Sequence, residues 1–397
     1  MMSVWSSLVG QDAAVAKLSE AAASARAIVA SRGSGRTSDE ARSMSHAWLI
    51  TGPPGSGRSV AARAFAAALQ CTGATPGCGQ CPGCRTTMGR TNADVLFAAT
   101  ETSIINVETA RSLVLQAQSS PSQGLWRVIV VEDADRLGES GANALLKAIE
   151  EPPEHTVWLL CAPSPEDMIA TIRSRCRHLG LRIPTATAVA DLLVHEGIAT
   201  PEVALEAARA AQSHIGLARA LARDPQMRER RRSIITAPAS VRSVGEAVMA
   251  ADRLLETAKA QADAQVSDRN AREKADLLRQ LGMEEGESAT KASRTMLRQL
   301  EEDQKRRSKR ALTDAIDRAL IDLLAIYRDI LMVQVGGDGE RINTDLSELV
   351  HQIAHDSTPH QTLARVDHIE TARKRLVANG NPLLVLEDMA ISLRPQA

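Results

Sequence analysis

Trp48-Leu49-Ile50-Thr51-Gly52-Pro53-Pro54-Gly55-Ser56-Gly57-Arg58-Ser59 is the stretch from which the fold is read. Four residues of strand-forming type enter a glycine-rich turn, and Val60 to Leu69 behind it is alanine-rich and helical in pattern. Gly52, Gly55 and Gly57 let backbone amides curl around a phosphate. A helix starting near Arg58 points its positive end at that phosphate, and Ser59 is placed to ligate magnesium. One position departs from the pattern: Arg58 stands where a phosphate loop carries lysine, so a long planar cation replaces a compact one. Two readings stay open, a nucleotide still held and a loop kept as architecture.

Downstream, Trp126 to Val131 reads as a second buried strand, Ala142 to Ile149 as a helix stopped by Pro152-Pro153, and Thr156 to Cys161 as a third strand. Strands alternating with helices predict a parallel α/β sheet covered on both faces. The second strand leads into Glu132-Asp133. A magnesium-holding aspartate followed by a water-positioning glutamate is the order hydrolysis uses, and here the two are inverted. Each carboxylate is displaced by a methylene. Catalytic positioning is sensitive to displacements near ~1 Å, so efficient hydrolysis at this site is not expected.

After Leu181 the pattern is helical. The expected organisation is an α/β domain over 1–181, a small helical lid over 182–240, and an all-helical domain over 241–397 in which Leu312, Ile316, Leu320, Leu323, Leu324, Tyr327 and Leu331 mark one apolar face. Two segments read as insertions. Ser31 to Met44 is polar, rich in Gly, Ser and Arg, and reads as a mobile loop; Lys259 to Arg310 is highly charged and predicts long solvated helices interrupted around Gly282 to Ser288.

Four of the six cysteines stand close together as Cys71-x6-Cys78-x2-Cys81-x2-Cys84, with Gly77, Gly79, Pro82 and Gly83 allowing tight turns. Tetrahedral structural zinc suits this set. Disulfides or unligated thiols are the alternatives, and six cysteines in 397 residues are too few for a disulfide scaffold. Cys161, at the end of a buried strand, reads as a small core residue.

Lys and Arg total 47 against 48 Asp and Glu, so no global field attracts nucleic acid and any DNA contact is local. Four Trp, two Phe and one Tyr offer few platforms for unpaired bases, which argues against a single-strand-binding module. Met1 to Gly10 has no signal-peptide pattern and no apolar run reaches membrane-spanning length, so a cytoplasmic protein without a membrane partner is expected.

Together these motifs resemble the clamp-loader family of AAA+ proteins, and the resemblance covers nearly the whole chain. Leu8-Val9-Gly10-Gln11 looks like the family's adenine-side box, and the four-cysteine module after the phosphate-loop helix is similar to the family's own. Asn143 to Pro153 is similar to the helix after the acidic strand, Ser174-Arg175-Cys176 to the Ser-Arg-Cys motif, and Asn379 to Glu387 to the last collar helix. The resemblance implies an AAA+ domain with a zinc module, a lid and a helical collar that assembles in a ring. It implies delta and gamma/tau clamp-loader subunits, the sliding clamp and primer-template DNA as partners, with ATP and magnesium as an open cofactor question.

In that family the Ser-Arg-Cys arginine acts on a neighbouring subunit's nucleotide, which makes Arg175 a finger in trans, and its placement is expected just after a sheet strand. The bland alternative is that Arg173, Arg175 and Arg177 solvate a strand edge. Arg58, the inverted Glu132-Asp133, and Cys161-Ala162-Pro163 where a sensor threonine is expected all depart from the family's motor subunits toward its stator. Arg219 matches the second sensor position and is the feature that keeps nucleotide binding open. An active motor of the same family and a zinc-dependent DNA-binding regulator are the rival readings.

Overall fold

The computed structural model describes residues 3–31, 43–98, 105–241, 243–281 and 291–394, so most of the predicted 31–44 loop and the predicted break at 282–288 lie outside the described residues. The chain forms two compact units, Met1–Arg219 and Ala220–Ala397.

The first unit opens with α1 (Asp12–Ala30), β1 (Ala47–Thr51), α2 (Arg58–Leu69) and α3 (Pro82–Met88). It continues through β2 (Val95–Ala98), α4 (Val107–Ala117), β3 (Arg127–Val131), α5 (Glu139–Glu150), β4 (Thr156–Ala162), α6 (Ala170–Arg173) and β5 (Arg177–Gly180). The five strands form one parallel sheet in the order β2-β3-β4-β1-β5. Two of these strands, β2 and β5, carry no clear period in the sequence. Each has only four residues and lies at a sheet edge, with β5 largely exposed, so neither shows the continuous apolar run of a central strand.

The central strands are buried on both faces, and alternate side chains feed two separate cores. Trp48, Ile50, Val128, Val130, Leu159 and Cys161 pack with α1 and α2, where Trp48 meets Phe65 edge-on at 5.3 Å. Ala47, Leu49, Ile129, Val131, Trp158 and Leu160 pack with residues of α4 and α5 on the other face. This is the α/β architecture expected. After the sheet come α7 (Ala186–His195), α8 (Pro201–Ala210) and α9 (Ile215–Arg223), the last of which contains the division between the units.

The second unit holds α10 (Pro225–Ser240), α11 (Val244–Leu281), α12 (Lys291–Gln334), α13 (Ser347–Asp356), α14 (Pro359–Val377) and α15 (Pro382–Ser392). The expected lid of 182–240 is therefore divided, and its last helix, α10, belongs with the second unit. The reason lies in two residues: Ile235 joins the core of Leu254, Ile316, Leu320 and Tyr327, and buried Arg231 donates to Asp322 at 3.2 Å and to Asn343 at 2.6 Å. Nor is the charged segment 259–310 set apart at its outer bounds. It consists of the far ends of α11 and α12, whose near ends carry the core, and Arg307 of α12 binds Asn270 and Glu273 of α11 at 2.7 and 2.8 Å.

Fully buried Asp94, just before β2, pins the loop that leads into β3. It accepts from Ser122 N–H and Oγ–H at 2.6 and 2.9 Å, from Gln123 N–H at 2.8 Å and from Gly124 N–H at 2.6 Å. Burial pushes this carboxyl up, but the donors from Ser122, Gln123 and Gly124 outweigh it and hold Asp94 below the usual carboxylate range. A depressed folded value means stability that is present above the unfolded pKa of about 4 and is lost as pH falls through the folded one. Asp94→Asn should therefore cost about 1 to 3 kcal/mol in urea unfolding at pH 7, with the gap to wild type narrowing as pH drops below about 4. A gap that stays constant across that window would count against the charged hydrogen-bonded carboxylate.

Candidate nucleotide and metal site

The phosphate loop leaves β1 and turns sharply into α2. Gly57 caps that helix at φ +89°, and Gly55 at φ +91° lies so close to His214 that an added Cβ would stand 3.1 Å from the His214 Cα. Ser59 is the second residue of α2. Gly52, Gly55, Gly57, Arg58 and Ser59 thus keep the strand, loop and helix order that phosphate binding needs. The cation is turned elsewhere. Arg58 Nη1 donates to the Gly52 carbonyl at 2.9 Å, so the side chain that replaces lysine braces the loop on which it stands.

Glu132 and Asp133 follow β3, and the Glu132 N–H pairs with the Ala98 carbonyl at 3.0 Å. Glu132 makes an ion pair with Arg90, whose guanidinium also lies over Phe97 at 5.0 Å from the ring centroid. Burial raises the neighbouring Asp135 carboxyl and Asp133 adds to that rise, while Arg136 and Arg58 oppose it. Cys161, fully buried on β4, has its thiol pushed up to about 12 by burial, against the field of Arg58 and with that of Glu132 and Asp133. These shifts bring Arg58, the two acids and Cys161 into one electrostatic neighbourhood. Arg219 is committed to a different partner: its Nε donates to Glu196 at 2.8 Å and its Nη2 to the other carboxylate oxygen at 2.5 Å. With Arg58 on a carbonyl and Glu132 on an arginine, the residues present do not fit a magnesium-bound nucleotide in this arrangement.

Cys71, Cys78, Cys81 and Cys84 converge as the spacing predicts, with all four sulfurs within 4.8 Å of one another. Zinc–sulfur bonds of about 2.3 Å require a tetrahedron edge of about 3.8 Å, and Cys71 and Cys81 stand 3.8 Å apart. Backbone N–H groups of Cys81 and Cys84 donate to the sulfurs of Cys78 and Cys81 at 3.5 and 3.4 Å. Burial opposes ionisation of Cys81, yet hydrogen bonds from Cys84 and Thr72 bring its thiol down to about 6, while burial drives Cys84 well up. These four sulfurs would hold a divalent ion as thiolates, and the ion would resolve the opposed shifts. The module is braced from outside: Val4 N–H and Ser3 Oγ–H donate to the Gly77 carbonyl at 3.0 and 2.9 Å, and Arg26 of α1 donates to the carbonyls of Cys71 and Ala74 at 2.9 and 2.8 Å.

Arg175 lies between α6 and β5, so it precedes a strand rather than following one as expected. It is paired with Glu150 at the end of α5, and its Nη1 donates to the Thr171 carbonyl at 2.8 Å and to Ser174 Oγ at 3.2 Å. Both Arg175 and Glu150 remain about two-fifths exposed. Sequence reasoning missed Arg90, Arg63 and His214. Only Arg90 left a trace, as a basic residue shortly after Cys84.

Residues 36–185 match the family model described as DNA polymerase III, delta subunit. The DNA polymerase III subunit gamma/tau of Mycobacterium tuberculosis is 36% identical over 150 residues, covering 36% of this chain and 25% of that relative. The subunit delta' of Pseudomonas aeruginosa is 34% identical over 165 residues, covering 41% of this chain and 50% of that relative. The chain therefore spans a quarter to a half of the length of these curated relatives. A crystal structure of a gamma subunit-related protein from Thermotoga maritima is 17% identical at a TM-score of 0.42, covering 87% of this chain and 93% of that one. Fold and site define the class as a phosphate-loop α/β domain with an inserted four-cysteine module. Over residues 36–185 the chain thus carries a domain similar to those of DNA polymerase III subunits.

Purified full-length protein should carry one equivalent of zinc by elemental analysis, and Cys81→Ser should lose most of it. The variant's melting temperature should fall by roughly 6 to 12 °C, corresponding to about 3 kcal/mol for a unit of this size. Metal-free wild-type protein that melts together with Cys81→Ser would remove the zinc assignment.

Proposed function

We propose that this chain is the delta-prime stator of a DNA polymerase III clamp loader, working in the cytoplasm with delta and gamma/tau subunits to load the sliding clamp on primer-template DNA. The observation that carries the reading is the pairing of a disabled site with an exposed arginine. Arg58 and Glu132 are engaged inside the site by the chain's own groups, while Arg175, paired with Glu150, sits at the surface just before the edge strand β5 with about a third of its side chain exposed. An arginine without a working nucleotide site in cis has a use on a neighbour's phosphates. There it would stabilise charge on the transferring phosphoryl group. The delta' relative from Pseudomonas aeruginosa supports the same assignment.

A second reading, an active motor of the same family, is favoured by the intact glycines of the loop and by the slightly higher identity to a gamma/tau subunit. The two readings part on turnover. As stator, the isolated chain should hydrolyse ATP at a rate indistinguishable from buffer, because neither the cation nor the acid is directed at the phosphates. Steady turnover that Asp133→Ala abolishes would establish the motor instead. A zinc-dependent DNA-binding regulator has less support, since α3, the helix inside the cysteine module, is only seven residues long.

Arg175→Ala should leave folding and co-purification with clamp-loader subunits nearly unchanged while lowering the assembled complex's DNA- and clamp-stimulated ATPase several-fold. That loss is short of the ~10³ to 10⁵ attributed to a complete finger, because other subunits bring their own. Equal ATPase and loading rates for wild-type and variant complexes at saturating ATP would refute the trans role.

A further inference from the structure

Glu132 stands where a magnesium-holding acid is expected, and what turns it away begins in the cysteine module. Cys81 caps α3 and Cys84 lies in that helix's first turn. The helix closes at Gly89, and Arg90 follows at φ +59°, the left-handed region that a non-glycine side chain occupies at a cost of roughly 1 to 2 kcal/mol. The Arg90 N–H is satisfied by the Thr87 carbonyl at 3.0 Å, its guanidinium stacks on Phe97 of β2, and its Nη2 meets Glu132. Glu132 is mostly buried, with 12% of its side chain exposed, so the pair is better shielded on the acid's side than an ordinary surface contact. A second cation lies within the acid's electrostatic field. Burial lowers the pKa of Arg63 on α2, the neighbouring Arg90 lowers it further, and Glu132 opposes both. The ion pair with Glu132 is made by Arg90, and a strained backbone aims it.

We propose that the four-cysteine module is a latch on the nucleotide site: by fixing the turn from Cys81 to Arg90 it holds Arg90 on Glu132 and withholds that carboxylate from magnesium. The latch rests on reading residues 52–59 as a phosphate loop and is independent of any role of Arg175 on a neighbour. It assigns the module a task beyond stability, since the arginine that occupies the acid is delivered by the turn that follows the cysteines.

The test uses full-length wild type, Arg90→Gln and the double variant Arg90→Gln/Glu132→Gln, each checked for zinc content and melting. Affinity for fluorescent ADP is measured with and without magnesium, in buffer free of chelator so that zinc stays in place. Wild type should bind with the same affinity, or the same lack of it, in both conditions. Arg90→Gln should gain about tenfold in affinity when magnesium is present, and the double variant should lose that gain. Phe97→Leu, which removes the aromatic platform and leaves the cysteine turn alone, should give a smaller gain of the same kind and serves in place of Arg90→Gln if that variant loses zinc. No magnesium-dependent gain in a zinc-replete variant would overturn the latch. So would a wild-type protein whose affinity already rises with magnesium in a way that Glu132→Gln abolishes. Neither result bears on the Arg175→Ala outcome.

Discussion

Strand β1 is buried along its entire length, between β4 on one side and β5 on the other, and every functional feature of the first unit is referenced to it. Its side chains divide between two cores, Trp48 and Ile50 toward α2 and Ala47 and Leu49 toward the opposite face. Full burial of each large apolar side chain contributes roughly 1.5 to 3 kcal/mol, so a shift of register by one residue would exchange the two sets and is strongly resisted. The end of β1 is therefore a fixed point. From it the phosphate loop departs, α2 carries the loop's orientation to the cysteine module, and β4 relays position to β3 and the acidic pair.

At this fixed point the electrostatics run inward. In a nucleotide site with magnesium, the loop's cation and the acid of the next strand are both directed at an anionic ligand and its metal. Here the two are satisfied by the protein itself, Arg58 by a carbonyl of its own loop and Glu132 by Arg90 with Arg63 nearby. Arginine makes the first of these possible, because its length and fork let the guanidinium fold back on Gly52, which a lysine ammonium on a flexible stem is less pre-organised to do. The geometry of a phosphate loop and the function of one are thus separable, and the substitution at residue 58 is where they separate.

Much of this was legible in the sequence, and the parts that were not share a physical cause. The central strands announced themselves as apolar runs, the loop by glycine spacing, and the cysteine cluster by four thiols within fourteen residues at metal-ligand spacing. The short edge strands β2 and β5 were hidden because half-exposed strands of four residues carry no period that stands above their surroundings. The membership of α10 was hidden for another reason. Arg231 reads as one of several arginines in a polar helix, and only its buried bonds to Asp322 and Asn343 tie that helix to the second unit. Arg90 on Glu132 spans 42 residues, and no local pattern encodes a contact at that separation. Arg58 could be flagged as a substitution, but where its guanidinium goes is decided by the loop's backbone.

A loop that no longer directs its cation at phosphate can still be required by the structure, and Gln11 is the residue that makes it so. Buried Gln11 donates to the Ser56 carbonyl at 3.3 Å and to the Arg182 carbonyl at 2.5 Å, and accepts from the Arg182 N–H at 3.2 Å. Leu181 N–H, one residue past β5, bonds the Thr51 carbonyl at 2.7 Å where the loop begins. The phosphate loop is thereby joined to the segment leaving β5, while Arg175 is attached to the segment entering it. Relaxing the loop's glycine geometry would unpair carbonyls and amides in a buried setting, at about 1 to 3 kcal/mol each, and would loosen the edge strand next to the arginine. Gly52, Gly55 and Gly57 therefore have a structural task beside the substituted cation and inverted acids, because the turn they form also fixes the strand that Arg175 precedes.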